Sequence, residues 1–353
     1  MRKPFQTDVF IAGGGPAGLS AAIAARLQGL QVLVADSLTP PIDKACGEGL
    51  MPDSLEALGV LGISLDAVET GVFRGIRFVG GSGATEARFP QGTGRGIRRT
   101  LLHQILIDRA ESVGVQFSWR SRVKAGRERV TLNDRPVEYR WLIGADGNNS
   151  QVRRFAGLEV GRASQQRVGL RRHFRVRPWS EFVEIYWGET CQAYVTPIGP
   201  EEVCVAVISR NKPASFENAL TEFAPLLHEL RTAEVCTSVR GALTLTRRFP
   251  AVTTKNVALI GEASGSADAI TGEGLAVCFR QAVALGRALS AQTLQIYEAE
   301  HRKIMALPQF MGRAMLLMDM SPRVRTRTLS ALTNRPEVFQ QMLSIHVGAV
   351  PVT

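Results

Sequence analysis

Aromatic residues are scarce, at 7%, and cysteine is scarcer still: Cys46, Cys191, Cys204, Cys236 and Cys278 are the five thiols of 353 residues. The odd count and the lack of any C-x-x-C pair exclude a disulfide scaffold and leave no thiolate pattern for a metal or redox centre. A reducing, cytoplasmic setting is the expectation. No apolar run approaches the ~18 residues of a membrane-spanning helix. Arg2 and Lys3 precede an apolar stretch, but Asp8 and the glycines at 13–15 interrupt it and no small-residue cleavage pattern follows, so a signal peptide is not expected. Internal repeats, low-complexity tracts and nucleic-acid motifs are missing as well. Acid is in deficit: Lys plus Arg is 42 against 32 for Asp plus Glu, a net charge of +10. Scattered basic residues in such excess favour an anionic ligand, and a phosphate-bearing cofactor is the simplest one. What remains is ordinary globular composition, 45% apolar and 21% charged, in a chain long enough for about two domains.

The first sixty residues set the fold. Asp8–Ala12 is a short apolar run suited to a buried parallel strand. It leads into Gly13-Gly14-Gly15-Pro16-Ala17-Gly18, then an Ala- and Leu-rich helix over 19–28, then a second apolar strand over 31–35 that ends at Asp36. The chemistry needs these residues in this order. Gly13 permits the tight turn, Gly15 lets backbone approach a pyrophosphate, and Gly18 lets the helix pack on the strand. The helix N-terminus offers unpaired N–H groups to phosphate, and Asp36, eighteen residues beyond Gly18, is placed for ribose hydroxyls.

Two further clusters follow. Trp141–Asp146 reads as an apolar strand ending in Gly144-Ala145-Asp146-Gly147, with Ser150 and Arg153 beyond. Val257–Gly274 is a strand ending in Gly261-Glu262, then a Gly-rich loop through Thr271-Gly272-Glu273-Gly274 into a helix over 275–289. With Arg99 and the helically spaced Leu102, Leu106, Ala110 and Gly114, these motifs give the chain a resemblance, over nearly its whole length, to the flavoprotein monooxygenases of the para-hydroxybenzoate hydroxylase fold, a superfamily that also holds geranylgeranyl reductases and flavin halogenases.

The resemblance implies an α/β protein in which a Rossmann-like FAD-binding domain (1–72, 98–165 and 248–320) is interleaved with an antiparallel-sheet substrate domain (73–97 and 166–247), with a helical C-terminus (321–353). It implies FAD as cofactor and NADPH or NADH as transient electron donor. Gly13, Gly15, Pro16, Ala17 and Gly18 would cradle the FAD pyrophosphate, Asp36 the adenosine ribose, and Arg99 the phosphates or ribityl chain. Asp146 would serve FAD and NADPH contacts. Gly261 and Glu262 would reach a ribityl hydroxyl, Glu standing where the family usually has Asp. Gly272, Glu273 and Gly274 would lie along the flavin, where backbone N–H groups hold the charge gained on reduction. Ala269 replaces the proline usual before this loop.

Cys46-Gly47 resembles a segment found near the flavin in the reductases. Cys46 is therefore a candidate proton donor, a thiol held beside flavin, or a small packing residue. Residues 168–209 alternate as three or four antiparallel strands with turns at Gly188-Glu189 and Gly199-Pro200. His173, Tyr186, Trp187, Tyr194, Thr196 and Pro197 are pocket candidates there, each equally readable as sheet packing. The reductases usually carry Tyr-x-Trp-x-Phe-Pro in this region; here Tyr194-Val195-Thr196-Pro197 stands instead. Helix is expected over 297–336 with breaks at Pro308 and Pro322; residues 302–335 hold seven Arg or Lys and one acid, Asp319. Such a stretch touches membrane or forms a solvated face with an apolar seam. The resulting expectation is an O2-using monooxygenase acting on an aromatic or polyketide-like lipophilic substrate, with an isoprenoid double-bond reductase as the alternative and a non-catalytic flavin-binding protein after that. No metal and no nucleic acid are expected; the protein is expected as a monomer or dimer, with peripheral membrane contact open.

Overall fold

The computed structural model describes residues 3–348 apart from 82, 127, 128 and 161. Val9–Ala12 are buried on both alternating sides of their strand, which explains a run that is continuously apolar. The strand Phe5–Ala12 pairs in parallel with Val32–Ala35 on one side and Arg135–Gly144 on the other, and Gln116–Ser118 and Val257–Leu259 extend the parallel array. The helix Pro16–Leu27 leaves the first strand directly. Gly286 of the helix Gly274–Ser290 faces it so closely that a Cβ there would stand 3.1 Å from the Cβ of Ala24.

A second, larger sheet holds the four alternating segments: Arg162–Arg175, Glu202–Ser209, Cys191–Gly199 and Val183–Trp187 lie side by side in that spatial order, all antiparallel. Gly75–Gly80 and Gly83–Arg88 continue it beyond Val183–Trp187, and Arg240–Arg248 pairs along its other edge. The chain thus passes repeatedly between the two sheets, as an interleaved arrangement requires. A small sheet of Gly49–Leu50, Gly71–Phe73 and Gly94–Gly96 completes the strands.

The two faces of the large sheet bury different partners. Ala193, Val195, Val205 and Val207 pack on Phe216, Leu226 and their neighbours; Ile185, Trp187 and Tyr194 pack on Ile270, Met315, Phe339 and Leu343. The C-terminal helices therefore cover the second face.

One expectation fails here. The helix Leu294–Met320 runs through Pro308 without ending. A proline removes one backbone donor and strains one turn, but Pro308 lies on the helix's buried face, where packing of Met305, Gly312 and Met315 holds both halves in line. Pro322 does open a new helix, Pro322–Asn334, with Ser321 capping it, and Pro336–His346 follows. Among the described residues no helix is long and apolar enough to cross a membrane.

Candidate functional site

The parallel strands end together at Ala12, Ala35, Gly144 and Leu259, and the three glycine-bearing loops leave from these ends. Carboxyl ends of parallel strands are where open α/β sheets bind ligands. Gly13 has φ +112°, and a Cβ on it would stand 2.3 Å from the carbonyl oxygen of Ala145; one on Gly18 would stand 1.9 Å from the carbonyl oxygen of Gly13. Both glycines are thus needed for the protein's own packing. Gly15 differs, since nothing lies within 4 Å of its Cβ direction. Pro16 occupies the first turn of its helix, and the Ala17 methyl faces Gly261, where a Cβ would stand 2.7 Å away.

Asp36 holds the turn from outside. Its Oδ2 accepts from the Gly14 N–H at 2.7 Å and its Oδ1 from the Leu38 N–H at 2.8 Å. His103, fully buried on the helix Arg99–Ser112, donates from Nε2 to the Gly14 carbonyl at 2.8 Å. Burial holds its pKa below the usual value, so the ring is neutral and Nδ1 is left as acceptor for the Ile42 N–H at 3.4 Å. No local signal in the sequence marks His103; its partners are 61 and 89 residues away.

The other loops converge on the same place. Asp146 accepts from the N–H groups of Gln151 and Val152 through Oδ2, while its buried Oδ1 has no hydrogen-bond partner among the described residues. Arg153 is completely buried and ties loops together, donating to the carbonyls of Asn148 and Ala263 at 2.7 and 3.0 Å. Glu262 is held by Lys44, whose Nζ donates to both its oxygens, at 2.6 and 2.8 Å. Glutamate is one methylene longer than the usual aspartate, and its carboxylate meets Lys44, which the sequence marks only as a neighbour of Cys46. Arg99 opens its helix with its N–H on Glu48 at 2.9 Å, and its buried Nε has no hydrogen-bond partner among the described residues.

Cys46-Gly47-Glu48 runs beside this cluster. The Cys46 thiol is half-buried and its sulfur accepts from the Glu48 N–H at 3.4 Å, while Gly47 has open space over its Cβ direction. Glu48, at φ +60°, is fully buried. Its carboxylate meets His173 Nε2 at 2.7 Å and Arg171 Nε at 3.7 Å. The buried groups Glu48, His173 and Cys204 lie within 4.8 Å of one another; the cation already beside them is Arg171.

The contacts of His173 lie within the protein. Both ring nitrogens are engaged, Nδ1 with Thr237 at 3.1 Å, and the side chain props the Cys46–Glu48 segment. The contacts of Tyr186 do as well. It alternates with Ile185 and Trp187, so it points to the opposite face from Tyr194, where its hydroxyl donates to Glu184 at 2.6 Å and its ring packs on Phe223. Pro197 contributes backbone: its carbonyl oxygen would stand 2.0 and 1.8 Å from a Cβ at Gly71 or Gly96, so the large and small sheets nearly touch there. Tyr194 and Thr196 share the face that meets the loops. The Tyr194 hydroxyl donates to the Ile270 carbonyl at 2.6 Å, and Thr196 abuts Gly49 and Gly96.

The loop before the last long buried helix has its own clamp. Asp268 caps Ile270 at 3.1 Å and pairs with the buried Arg167 at 2.9 Å, which also reaches Asp319 at 2.8 Å. This supplies the fixation that a proline at 269 would give. Gly272 is left-handed, φ +70°, and neither Gly272 nor Gly274 has an atom within 4 Å of its Cβ direction. Glu273 turns the other way into a buried charged group. It stands 3.9 Å from Arg280 and 3.8 Å from His346, and Arg280 stands 3.7 Å from Asp53, all beyond hydrogen-bond length. Both oxygens of Glu273 and of Asp53 lack partners among the described residues. Burial, reinforced by Asp53, pushes the Glu273 pKa up to about 8 against the pull of Arg280, and burial pushes His346 down to about 4.

A family model described as "FAD binding domain" matches residues 6–295. A menaquinone reductase of Mycobacterium tuberculosis (strain ATCC 25618 / H37Rv) is 28% identical over 298 residues, 76% of this chain and 72% of that protein. A rifampicin monooxygenase of Streptomyces venezuelae is 29% identical over 162 residues, 43% of this chain and 34% of that one. Among solved structures, a flavoprotein/dehydrogenase from Cytophaga hutchinsonii superposes with a TM-score of 0.81 at 19% identity, over 97% of this chain and 93% of that one.

Proposed function

The chain belongs to the FAD binding domain family, and from that premise we propose that this FAD-dependent oxidoreductase is a monooxygenase hydroxylating a bulky, lipophilic aromatic or polyketide-like molecule, with NADPH or NADH as electron donor. The residues present fit FAD. Gly15, Gly47, Gly272 and Gly274 each leave open a space that a side chain would fill, and Arg99 Nε and Asp146 Oδ1 are buried polar atoms awaiting partners. When bound, FAD supplies the redox chemistry.

The chain's own groups supply binding, orientation and exclusion of water. Gly13–Gly18 and the first turn of Pro16–Leu27 hold the pyrophosphate. Asp36 reaches the ribose with its remaining lone pairs. The unpaired N–H groups opening Gly274–Ser290 stabilise negative charge along the ring. In this reading the parallel sheet carries FAD, and the substrate lies where the Tyr194 and Thr196 end of the large sheet meets the cofactor loops.

Thr196 carries the choice of hydroxylation. It occupies the position of the reductases' tryptophan, two residues after Tyr194, and its Cγ2 would stand 3.0 Å from a Cβ at Gly96 and 3.6 Å from one at Gly49. Thr196 is buried, so a tryptophan there would need its surroundings to shift. Reduction of an isoprenoid double bond is the second reading. It is favoured by the half-buried Cys46 and by the greater share of the chain that the menaquinone reductase matches.

The test is NAD(P)H oxidation by the FAD-loaded protein against phenols, quinones and prenyl lipids, with oxygen uptake and products followed together. An oxygen atom from O2 in the product is expected; anaerobic saturation of a double bond would give the second reading. Cys46→Ser sharpens the choice. Turnover is expected to change by less than about threefold, whereas loss of an acid in double-bond reduction costs ~10²–10⁴-fold.

A further inference from the structure

The helix Leu294–Met320 has two faces of opposite character. Its buried face rests on the loop that leads to Gly272, since a Cβ on Gly312 would stand 3.5 Å from Thr271 Cγ2 and 3.7 Å from Asp268 Cβ. Its other face carries Ala306, Phe310, Arg313 and Leu317, all exposed and spaced by three or four residues, which aligns them in one stripe. Phe310 is 64% exposed and Leu317 57%. Large apolar groups so placed, at the start of a span (302–335) that holds seven Arg or Lys and one acid, are what an interfacial segment presents.

From 302 to 335 the chain carries seven Arg or Lys against one acid. Arg313, Arg323 and Arg327 are exposed, and the one acid in 302–335, Asp319, is buried with Arg167. Neither hydrogen bond nor ion pair engages these three guanidinium groups among the described residues. Arg248, exposed on the strand Arg240–Arg248, stands close enough to be affected by Arg313: burial first, then the charge of Arg313, hold its pKa below the ordinary value. Exposed guanidinium groups on this helix and the next, with exposed apolar side chains on the first, complement a surface that offers both anions and hydrocarbon.

We propose that this stripe docks on an anionic lipid bilayer, with Phe310 and Leu317 entering the headgroup boundary and Arg248, Arg313, Arg323 and Arg327 on lipid phosphates. A helix is ~10 Å across, so the bilayer would lie about one helix diameter from the loop before Gly272, a short path for a lipophilic molecule. The inference stands on the surface alone, and its test reads binding, so failure of the proposed reaction leaves it intact.

The experiment is sedimentation of the full-length FAD-loaded protein with vesicles of phosphatidylcholine alone, or with about a third phosphatidylglycerol. At least about tenfold more protein is expected on the anionic vesicles, with the difference lost at ~1 M salt as charges are screened. Phe310→Glu with Leu317→Glu should lower binding about tenfold or more, and so should Arg313→Ser with Arg323→Ser and Arg327→Ser. Val60→Glu, at an exposed apolar position on the helix Pro52–Val60, should leave binding unchanged. Thermal unfolding confirms that each variant is folded. Equal or absent binding on the two vesicle types overturns the proposal, as does anionic binding that survives the Phe310 and Leu317 changes. A dimer that those changes dissociate, without vesicle binding, overturns it in favour of an interface between copies.

Discussion

Gly13–Gly18 and Gly272–Gly274 are both glycine-rich turns that open a helix, yet they are built in opposite ways. In the first, Gly13 and Gly18 are locked against backbone, Asp36 and His103 hold Gly14 from either side, and only Gly15 faces open space. In the second, both glycines face open space, and the intervening Glu273 enters a buried group of charges whose members stand too far apart for hydrogen bonds. The first turn is a fixed grip whose protein contacts are complete. The second keeps a buried carboxyl without a hydrogen-bond partner beside its own backbone, and its raised pKa makes its stability respond to pH near neutrality.

The largest effect separates folding from cofactor in the first turn. Gly15→Val should leave a folded protein that has lost FAD affinity by more than about 100-fold, since the added side chain takes the space the pyrophosphate needs. Gly18→Val should instead destabilise the chain itself, by about 3 kcal/mol or more, because there is backbone where its Cβ would go. Flavin occupancy and thermal unfolding read the two outcomes. Folded Gly15→Val protein with full flavin would dissolve the contrast.

Next in size is the pH response of the second turn. Glu273 has a folded pKa of about 8, well above its unfolded value, so the native state keeps a proton that the unfolded chain releases. Stability must then fall as pH rises through the interval up to about 8, and level off above it. His346 and His301, each lowered to about 4, act with the opposite sign below their unfolded value of ~6.5. The clean window is therefore from about 6.5 to about 8. Glu273→Gln should flatten the slope there, keeping the roughly 2 kcal/mol of stability that the native protein loses between about pH 6.5 and about pH 8. Urea midpoints across that window decide it, and an unchanged slope would show that the buried group is paired in solution.

The smallest expected effect concerns the strap between the large sheet and the second turn. Tyr194→Phe removes the bond to the Ile270 carbonyl and leaves a buried acceptor. A loss of about 1–2 kcal/mol is expected, with FAD affinity changed far less than by Gly15→Val. A flavin loss as large as that of Gly15→Val would mean that the second turn grips the cofactor as firmly as the first.

The strand, turn, helix and strand of residues 5–36 were legible because their signals are local. A buried parallel strand is continuously apolar, a turn that must pass backbone or phosphate needs glycine, and both facts are written in neighbouring residues. The hairpins of the large sheet were legible for the same reason, as period-two runs broken at Gly188 and Gly199. Tertiary structure alone decided where the side chains went. Lys44 and Glu262 meet across 218 positions, and His173 reaches Glu48 across 125. Alternation predicts that Tyr186 and Tyr194 lie in strands, but which face of the sheet receives each depends on register, and register is set by the partner strand. Pro308 reads as a break because proline costs a helix locally; the packed face of Leu294–Met320 outweighs that cost, and no window of sequence contains the packing.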